Sequence, residues 1–117
     1  METSGRFVAG EVVVVTFPFT NLEGSKSRPA LVLRDSDYVD DYILCEITSK
    51  NYNNRVAVEL REEDFESGGL RMNSFVRPLI IFTLEKELIK KSVGQVHKRI
   101  LRQTVKELSD YLSRKAE

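Results

Sequence analysis

The apolar residues of this 117-residue chain follow one pattern before Gly94 and another after it. Glu11–Phe17 is a β-branched run that is apolar on both faces, which is typical of a strand buried within a barrel or sandwich. After Gly94 the apolar residues recur at spacings of three and four, which predicts one amphipathic C-terminal helix. Several short strands followed by a single helix predict an α+β, mainly β fold: a small antiparallel barrel with a C-terminal helix.

Further strand segments are predicted along the chain, at residues 29–34, 42–48, 55–60, 74–77 and 79–83. Pro78 separates the last two segments and must lie at an edge or a bulge, because proline donates no backbone hydrogen bond. Residues 61–69 are interpreted as an acidic excursion that Gly68-Gly69 closes. In the segment 42–48, the two-residue period of a strand places Glu46 and Thr48 on the same face.

Composition indicates a single soluble domain over residues 1–117, with 41% hydrophobic residues. Lys+Arg and Asp+Glu both number 18, so a nucleic-acid site would have to be a local basic patch. Cys45 and His97 are the only residues of their types, which excludes an internal disulfide and argues against a zinc site. We expect a cytoplasmic protein without membrane association, because the chain has neither a signal-peptide pattern nor a membrane-spanning apolar stretch. We also expect neither a metal ion nor a cofactor.

One pair of residues has the chemistry to hold a phosphodiester. Arg28 precedes Pro29, so its backbone should be extended at the start of a strand. Thr48 ends another strand. A guanidinium and a hydroxyl together can bind and polarise a phosphate without a metal ion. An Arg-Pro pair more often serves only to form a turn, and a Thr-Ser pair more often caps a loop. The residues alone therefore leave open both a structural role and a role in phosphate binding.

Six groups of residues stand in a fixed order over nearly the whole chain. They are Gly10-Glu11-Val12-Val13, Phe17-Pro18-Phe19-Thr20, Ser27-Arg28-Pro29-Ala30-Leu31-Val32-Leu33, Ile47-Thr48-Ser49, Leu70-Arg71-Met72-Asn73-Ser74 and Thr83-Leu84-Glu85-Lys86. In this order and spacing they resemble the MazF/PemK family of type II toxin endoribonucleases. The resemblance implies a small SH3-like β-barrel with a C-terminal helix, normally a homodimer.

The resemblance also implies an activity. Toxins of this family cleave single-stranded RNA at short preferred sequences without a metal ion, by attack of the ribose 2′-hydroxyl on the adjacent phosphate. The products are a 2′,3′-cyclic phosphate and a 5′-hydroxyl. The catalytic arginine and threonine of the family correspond to Arg28 and Thr48 of this chain. The implied partners are single-stranded RNA and a cognate acidic antitoxin.

The group that accepts the 2′ proton is not supplied by this pair. Glu46, which shares a strand face with Thr48, and His97, whose ordinary pKa is near neutral, are the two candidates for a general base. The predicted RNA-binding residues are basic, aromatic or hydroxyl-bearing, namely Phe19, Lys26, Ser27, Ser49, Tyr52, Arg71 and Arg77. All of these side chains could instead be ordinary surface residues.

A second class of function is compatible with the same barrel. A non-catalytic binding protein, either a gyrase-inhibitor-like toxin or an interaction module, would have no need of an arginine and a threonine held together. Because a fold does not determine a function, the sequence alone does not separate this alternative from the nuclease.

Overall fold

The computed structural model describes residues 6–17, 26–36, 38, 40–51 and 56–114, apart from the side chains of Phe17 and Lys26. Within these ranges the chain forms seven strands and one α-helix. They are β1 (Glu11–Phe17), β2 (Lys26–Asp35), β3 (Asp41–Thr48), β4 (Val58–Leu60), β5 (Phe65–Gly68), β6 (Ser74–Glu85), β7 (Ile89–Val96) and α1 (Lys98–Ser113). Single 3₁₀ turns lie at Glu62–Asp64 and Lys86–Leu88.

The strands form one antiparallel sheet in the order β4-β6-β3-β2-β1-β7-β5. The sheet curls into a half-barrel, and α1 packs against β4 and β6. The mainly β fold with a C-terminal helix that the sequence predicts is therefore confirmed.

Strand β1 is apolar on both faces because both faces of the sheet are covered. Val12 belongs to an apolar cluster that also includes Ile100 of α1, which we call the helix-side core. Val13 and Val15 belong to a second cluster on the other face, the far-side core. All three valines are fully buried. The interpretation of Glu11–Phe17 as a buried strand is confirmed.

Strand β6 runs without a break through Pro78, which is buried. Cys45 of β3 pairs with Ile81, and the next residue, Glu46, pairs with Arg77. Residues 78–80 are therefore extra residues of β6, and they form the bulge that the proline requires. The predicted strand at 55–60 is shorter in the structure, where β4 begins at Val58; Arg55 lies outside the described residues.

Two strands were not predicted from the sequence. Residues 61–69, interpreted as an excursion, contain a 3₁₀ turn and then β5, which pairs with β7. Strand β7 pairs with β1 on its other edge. Gly68 has a φ of +66°, and a Cβ atom on it would clash with the backbone oxygen of Val93. The close approach of these two strands therefore depends on glycine at this position.

The predicted C-terminal helix is present as α1, and its apolar stripe is covered over only part of its length. Ile100 and Thr104 are buried, whereas Val105, Tyr111 and Leu112 are 45%, 44% and 71% exposed. The prediction of one amphipathic C-terminal helix is confirmed, and the apolar residues in its second half are exposed. No helix in the described ranges has the length and apolar content needed to cross a bilayer.

Candidate functional site

Three chain segments meet at one end of the sheet and line a cleft of about 490 Å³. They come from the start of β2, the end of β3 and the connection between β5 and β6. The described lining residues are Ser27, Arg28, Pro29, Ile47, Thr48, Ser49, Lys50, Leu70, Arg71, Met72 and Ser74. Because the segments are remote in sequence, only the folded sheet brings them together.

Arg28 and Thr48 lie on neighbouring strands at this end of the sheet. Ala30 of β2 pairs with Glu46 of β3. Arg28 stands two residues before Ala30 and Thr48 two residues after Glu46, so both lie at the same end of this strand pair and on the face that Ala30 and Glu46 share. Both residues line the cleft. The structure therefore brings together the two residues for which the sequence predicts catalysis.

The hydroxyl of Thr48 has a defined orientation. Its Oγ1 accepts a hydrogen bond from the backbone N–H of Lys50 at 3.1 Å, which caps the turn after β3. A hydroxyl has one hydrogen to donate besides its acceptor lone pairs. With an acceptor site of Oγ1 used by the backbone, the hydrogen remains for a group bound in the cleft. The loop-cap interpretation of Thr48 and the functional one are thus both compatible with the structure.

The cleft carries local positive charge in a chain whose formal net charge is zero. Arg28, Lys50 and Arg71 line it, and all three are exposed. No described lining residue is a carboxylate, and none of the three cations forms an ion pair within the described ranges. The local basic patch that the composition demands for a nucleic-acid site is present here. Unpaired cations beside hydroxyl donors suit a ligand with several anionic oxygens.

Lys90 is a residue at the edge of this site that sequence reasoning missed. Its Nζ donates a hydrogen bond to Oγ of Ser27 at 2.8 Å, although 63 positions separate the two residues. No sequence signal marks Lys90, because its position depends on β7, which the sequence pattern did not predict, and on the pairing of β7 with β1.

Glu46, one of the two candidate bases, does not line the cleft. Its Oε2 lies 3.7 Å from Nη1 of Arg77, and the two side chains are only 17% and 22% exposed. Arg77, predicted to bind RNA, likewise does not line the cleft. Glu46 and Thr48 lie on the same face of β3, as the two-residue period of a strand predicts. The Glu46 carboxylate, however, contacts Arg77 on the neighbouring strand β6.

His97, the other candidate base, is also absent from the cleft lining. It precedes α1, and its backbone N–H donates to the carbonyl oxygen of Asp64 at 2.9 Å. Its Nδ1 lies 3.7 Å from Oε2 of Glu66 in β5. The structure therefore places both candidate bases in contacts outside the cleft.

Of the predicted RNA-binding residues, Ser27, Ser49 and Arg71 line the cleft. Phe19, Tyr52 and the side chain of Lys26 lie outside the described residues. Among the residues that are described, no group of three or more His, Cys, Asp or Glu side chains is placed to hold a metal ion.

Cys45 lies three residues from Thr48 but is buried in the helix-side core. Burial, and secondarily the negative charge of Glu46, raises the pKa of its thiol to about 12. A thiol with this pKa is protonated at neutral pH, so Cys45 is a packing residue and not a nucleophile.

Solved structures with the same fold belong to toxin proteins. One is described as an endoribonuclease in complex with its cognate antitoxin from a mycobacterial species, with a TM-score of 0.72 and 15% identity over 96% of this chain and 100% of that one. A MazE-MazF structure from Deinococcus radiodurans has a TM-score of 0.72 and 21% identity, over 92% and 97% of the two chains. The Mycobacterium tuberculosis toxin MazF-mt6 has a TM-score of 0.67 and 14% identity, over 91% and 99%. At such identities the likeness establishes a shared fold.

No curated protein sequence matches the chain. A family model does: that of the PemK-like, MazF-like toxins of type II toxin-antitoxin systems matches residues 9–112. This match covers most of the chain, including all seven strands and nearly all of α1. The resemblance drawn from the sequence motifs is confirmed. This chain therefore belongs to the PemK-like, MazF-like family of type II toxin-antitoxin toxins.

Proposed function

We propose that this chain is a toxin that cleaves single-stranded RNA without a metal ion, at short preferred sequences. The observation that supports the proposal is that Arg28 and Thr48 line one cleft together with Lys50 and Arg71. The described lining of this cleft contains no carboxylate, and its cations form no ion pair with any described residue. A non-catalytic binding surface would not need a bidentate donor and an oriented hydroxyl at adjacent positions.

Each of the two residues has a distinct part in the proposed reaction. The ribose 2′-oxygen attacks the phosphorus, and the bond from phosphorus to the 5′-oxygen breaks. The guanidinium of Arg28 donates two hydrogen bonds to the phosphate oxygens, and so stabilises the charge that accumulates in the pentacoordinate transition state. Thr48 donates its hydroxyl hydrogen to the phosphate or to the leaving oxygen.

The reaction balances without water or a cofactor. The 2′-hydroxyl loses a proton, the 5′-oxygen gains one, and the products are a 2′,3′-cyclic phosphate and a 5′-hydroxyl. The described cleft residues include no carboxylate or imidazole, so Arg28 and Thr48 account for charge stabilisation and not for removal of the 2′ proton.

The test is cleavage of single-stranded RNA by the purified protein in EDTA, with the new 5′ ends identified by sequencing and the 3′ ends tested for a cyclic phosphate. Arg28→Ala should lower the rate by about 10²- to 10³-fold, the usual cost of losing one transition-state donor. Thr48→Ala should lower it comparably. Arg34→Ala is the matched control, because Arg34 lies on the same strand, is exposed and pairs with Asp35. Cleavage that survives in both cleft variants would exclude the proposed site. Failure of the folded wild type to cleave any RNA would favour a binding protein.

We infer that the partner is an acidic antitoxin whose carboxylates occupy the same cationic cleft. The supporting observation is the group of three cleft cations that form no ion pair with the described part of the chain, since a segment rich in Asp and Glu would complement them. A peptide of that composition should compete with RNA for the wild type, and should bind Arg71→Ala more weakly. Binding that is indifferent to Arg71 would place the antitoxin elsewhere.

We also infer a homodimer that acts in the cytoplasm. Two apolar surfaces support self-association: the second half of α1, and the β6 bulge, where Leu79, Ile80 and Ile81 are 38%, 37% and 45% exposed. Sedimentation at micromolar concentration should give twice the monomer mass of 13.4 kDa. A monomer at that concentration would contradict the inference.

A further inference from the structure

Lys90 occupies an irregular position in β7. Val14 of β1 pairs with Lys91, whereas the next residue, Val15, pairs with Ile89. Lys90 is therefore the extra residue of a β-bulge. Bulges turn a side chain away from the regular alternation of a strand, and they occur often beside functional sites.

The bulge allows Lys90 to reach across β1. Ser27 of β2 pairs with Thr16 on one edge of β1, while β7 lies on the other edge. The hydrogen bond of 2.8 Å from Nζ of Lys90 to Oγ of Ser27 therefore spans the width of a strand. It brings the ammonium group to a residue that lines the cleft and directly precedes Arg28.

The ammonium group has spare hydrogen-bonding capacity and no described counter-charge. An ammonium has three hydrogens to donate, of which Ser27 accepts one. Within the described ranges Lys90 forms no ion pair. An ammonium group with two free donors and no described counter-charge suits an anionic ligand that reaches the cleft at Ser27.

We propose that Lys90 binds the phosphate adjacent to the scissile one, so that the RNA backbone passes from Lys50 and Arg71, over Arg28, toward β7. This inference rests on the proposed function of the cleft and adds the direction in which the strand leaves it. Lys90 contacts a part of the substrate that does not react. Its loss therefore weakens binding and raises KM while kcat is retained.

Lys91 provides a matched control. It is the next residue on the same strand, has the same charge and is exposed, but it stands in regular register with Val14. We compare Lys90→Gln with Lys91→Gln, because glutamine removes the charge and retains a donor for Ser27. The probe is a fully 2′-O-methylated copy of an RNA that the wild type cleaves, which binds but cannot react.

The measurement is the dissociation constant of this probe as a function of monovalent salt. Each phosphate contact to a single strand contributes about 0.7 to the slope of log K against log salt. Lys90→Gln should lower the slope by about 0.7 and weaken binding about fivefold near ~0.1 M salt, whereas Lys91→Gln should leave the slope unchanged. In cleavage assays Lys90→Gln should raise KM with kcat unaltered.

The outcomes separate this inference from the proposed function. If the wild type cleaves RNA but the two lysine variants behave alike, the role of Lys90 is refuted and the nuclease stands. If Lys90→Gln lowers kcat with an unchanged salt slope, the role is also refuted, because Lys90 would then act at the reacting phosphate. If the folded wild type neither binds nor cleaves RNA, both proposals fail.

Discussion

The Glu46–Arg77 pair should contribute to stability and not to chemistry. Replacing Glu46 with Gln retains the volume of the side chain and removes its charge, along with any capacity to act as a base. The carboxylate lies 3.7 Å from the guanidinium, and both side chains are more than three-quarters buried. Since neither lines the cleft, we expect Glu46→Gln to lower the free energy of unfolding and to leave cleavage within about threefold of the wild-type rate, far from the ~10²- to 10⁴-fold loss of a general base.

The size of the stability loss follows from the geometry. At 3.7 Å and an effective dielectric constant of about 20, the gross Coulomb attraction is about 4.5 kcal/mol. Desolvation of the two charges offsets much of it. Fully buried pairs cost about 3–5 kcal/mol when one partner is removed, and exposed pairs about 0–1 kcal/mol. For this mostly buried pair we expect a loss of about 2 kcal/mol.

The assay is a double-mutant cycle in urea with Glu46→Gln, Arg77→Gln and the double variant, together with single-turnover cleavage of RNA across the pH range. The coupling energy should be about 1–2 kcal/mol. The pH–rate profile should be the same for the wild type and Glu46→Gln. A hundredfold loss of cleavage in a folded Glu46→Gln protein would refute the structural assignment and restore Glu46 as the base. A coupling energy near zero would show that the pair does not stabilise the contact between β3 and β6.

Two further predictions concern stability. The Cys45 thiol has its pKa raised from 9.0 to about 12 in the folded chain, so from about pH 9 upward the unfolded state loses its proton while the folded state keeps it. The contribution of the protonated thiol to the free energy of unfolding is therefore complete below pH 9 and is lost as the pH rises above it. In urea unfolding, the wild type should lose about 1.4 kcal/mol per pH unit more than Cys45→Val. Parallel pH profiles of the two proteins would refute this. Gly68→Ala should lower the unfolding free energy by at least about 2 kcal/mol, because alanine would adopt a φ of +66° with its Cβ against the Val93 oxygen; an unchanged urea midpoint would contradict this.

Those parts of the fold with a strong local pattern were predictable. The bounds of β1 agree with the predicted Glu11–Phe17, because a β-branched run between Gly10 and Pro18 is a local signal. Strands β5 and β7 lack such a signal. Ile89–Val96 contains two lysines, a serine and a glycine, and two bulges interrupt its pairing with β1. It is a strand because β1 and β5 pair with it on either edge, which is information that no window of sequence contains.

The candidate site likewise contains residues that the sequence predicts and residues whose positions depend on the assembled sheet. Arg28 and Thr48 were found through sequence motifs, and the register of β2 and β3 explains why they lie together. The partner of Glu46 could not be predicted, because the strand period gives the face of a residue but not the side chain opposite it. Lys90 reaches the site through two strand pairings and a bulge, each of which depends on the assembled sheet.

The position of β1 in the sheet has a consequence for the chain as it is synthesised. One edge of β1 can pair as soon as β2 has emerged from the ribosome, but its other edge has no partner until β7, close to the end of the described residues, has been made. During that interval four consecutive valines occupy an open strand edge, the type of segment that recruits other chains into β-aggregates. Slow translation of the intervening region would prolong this exposure, so aggregation of nascent chains, and not a damaged cleft, would be its first effect.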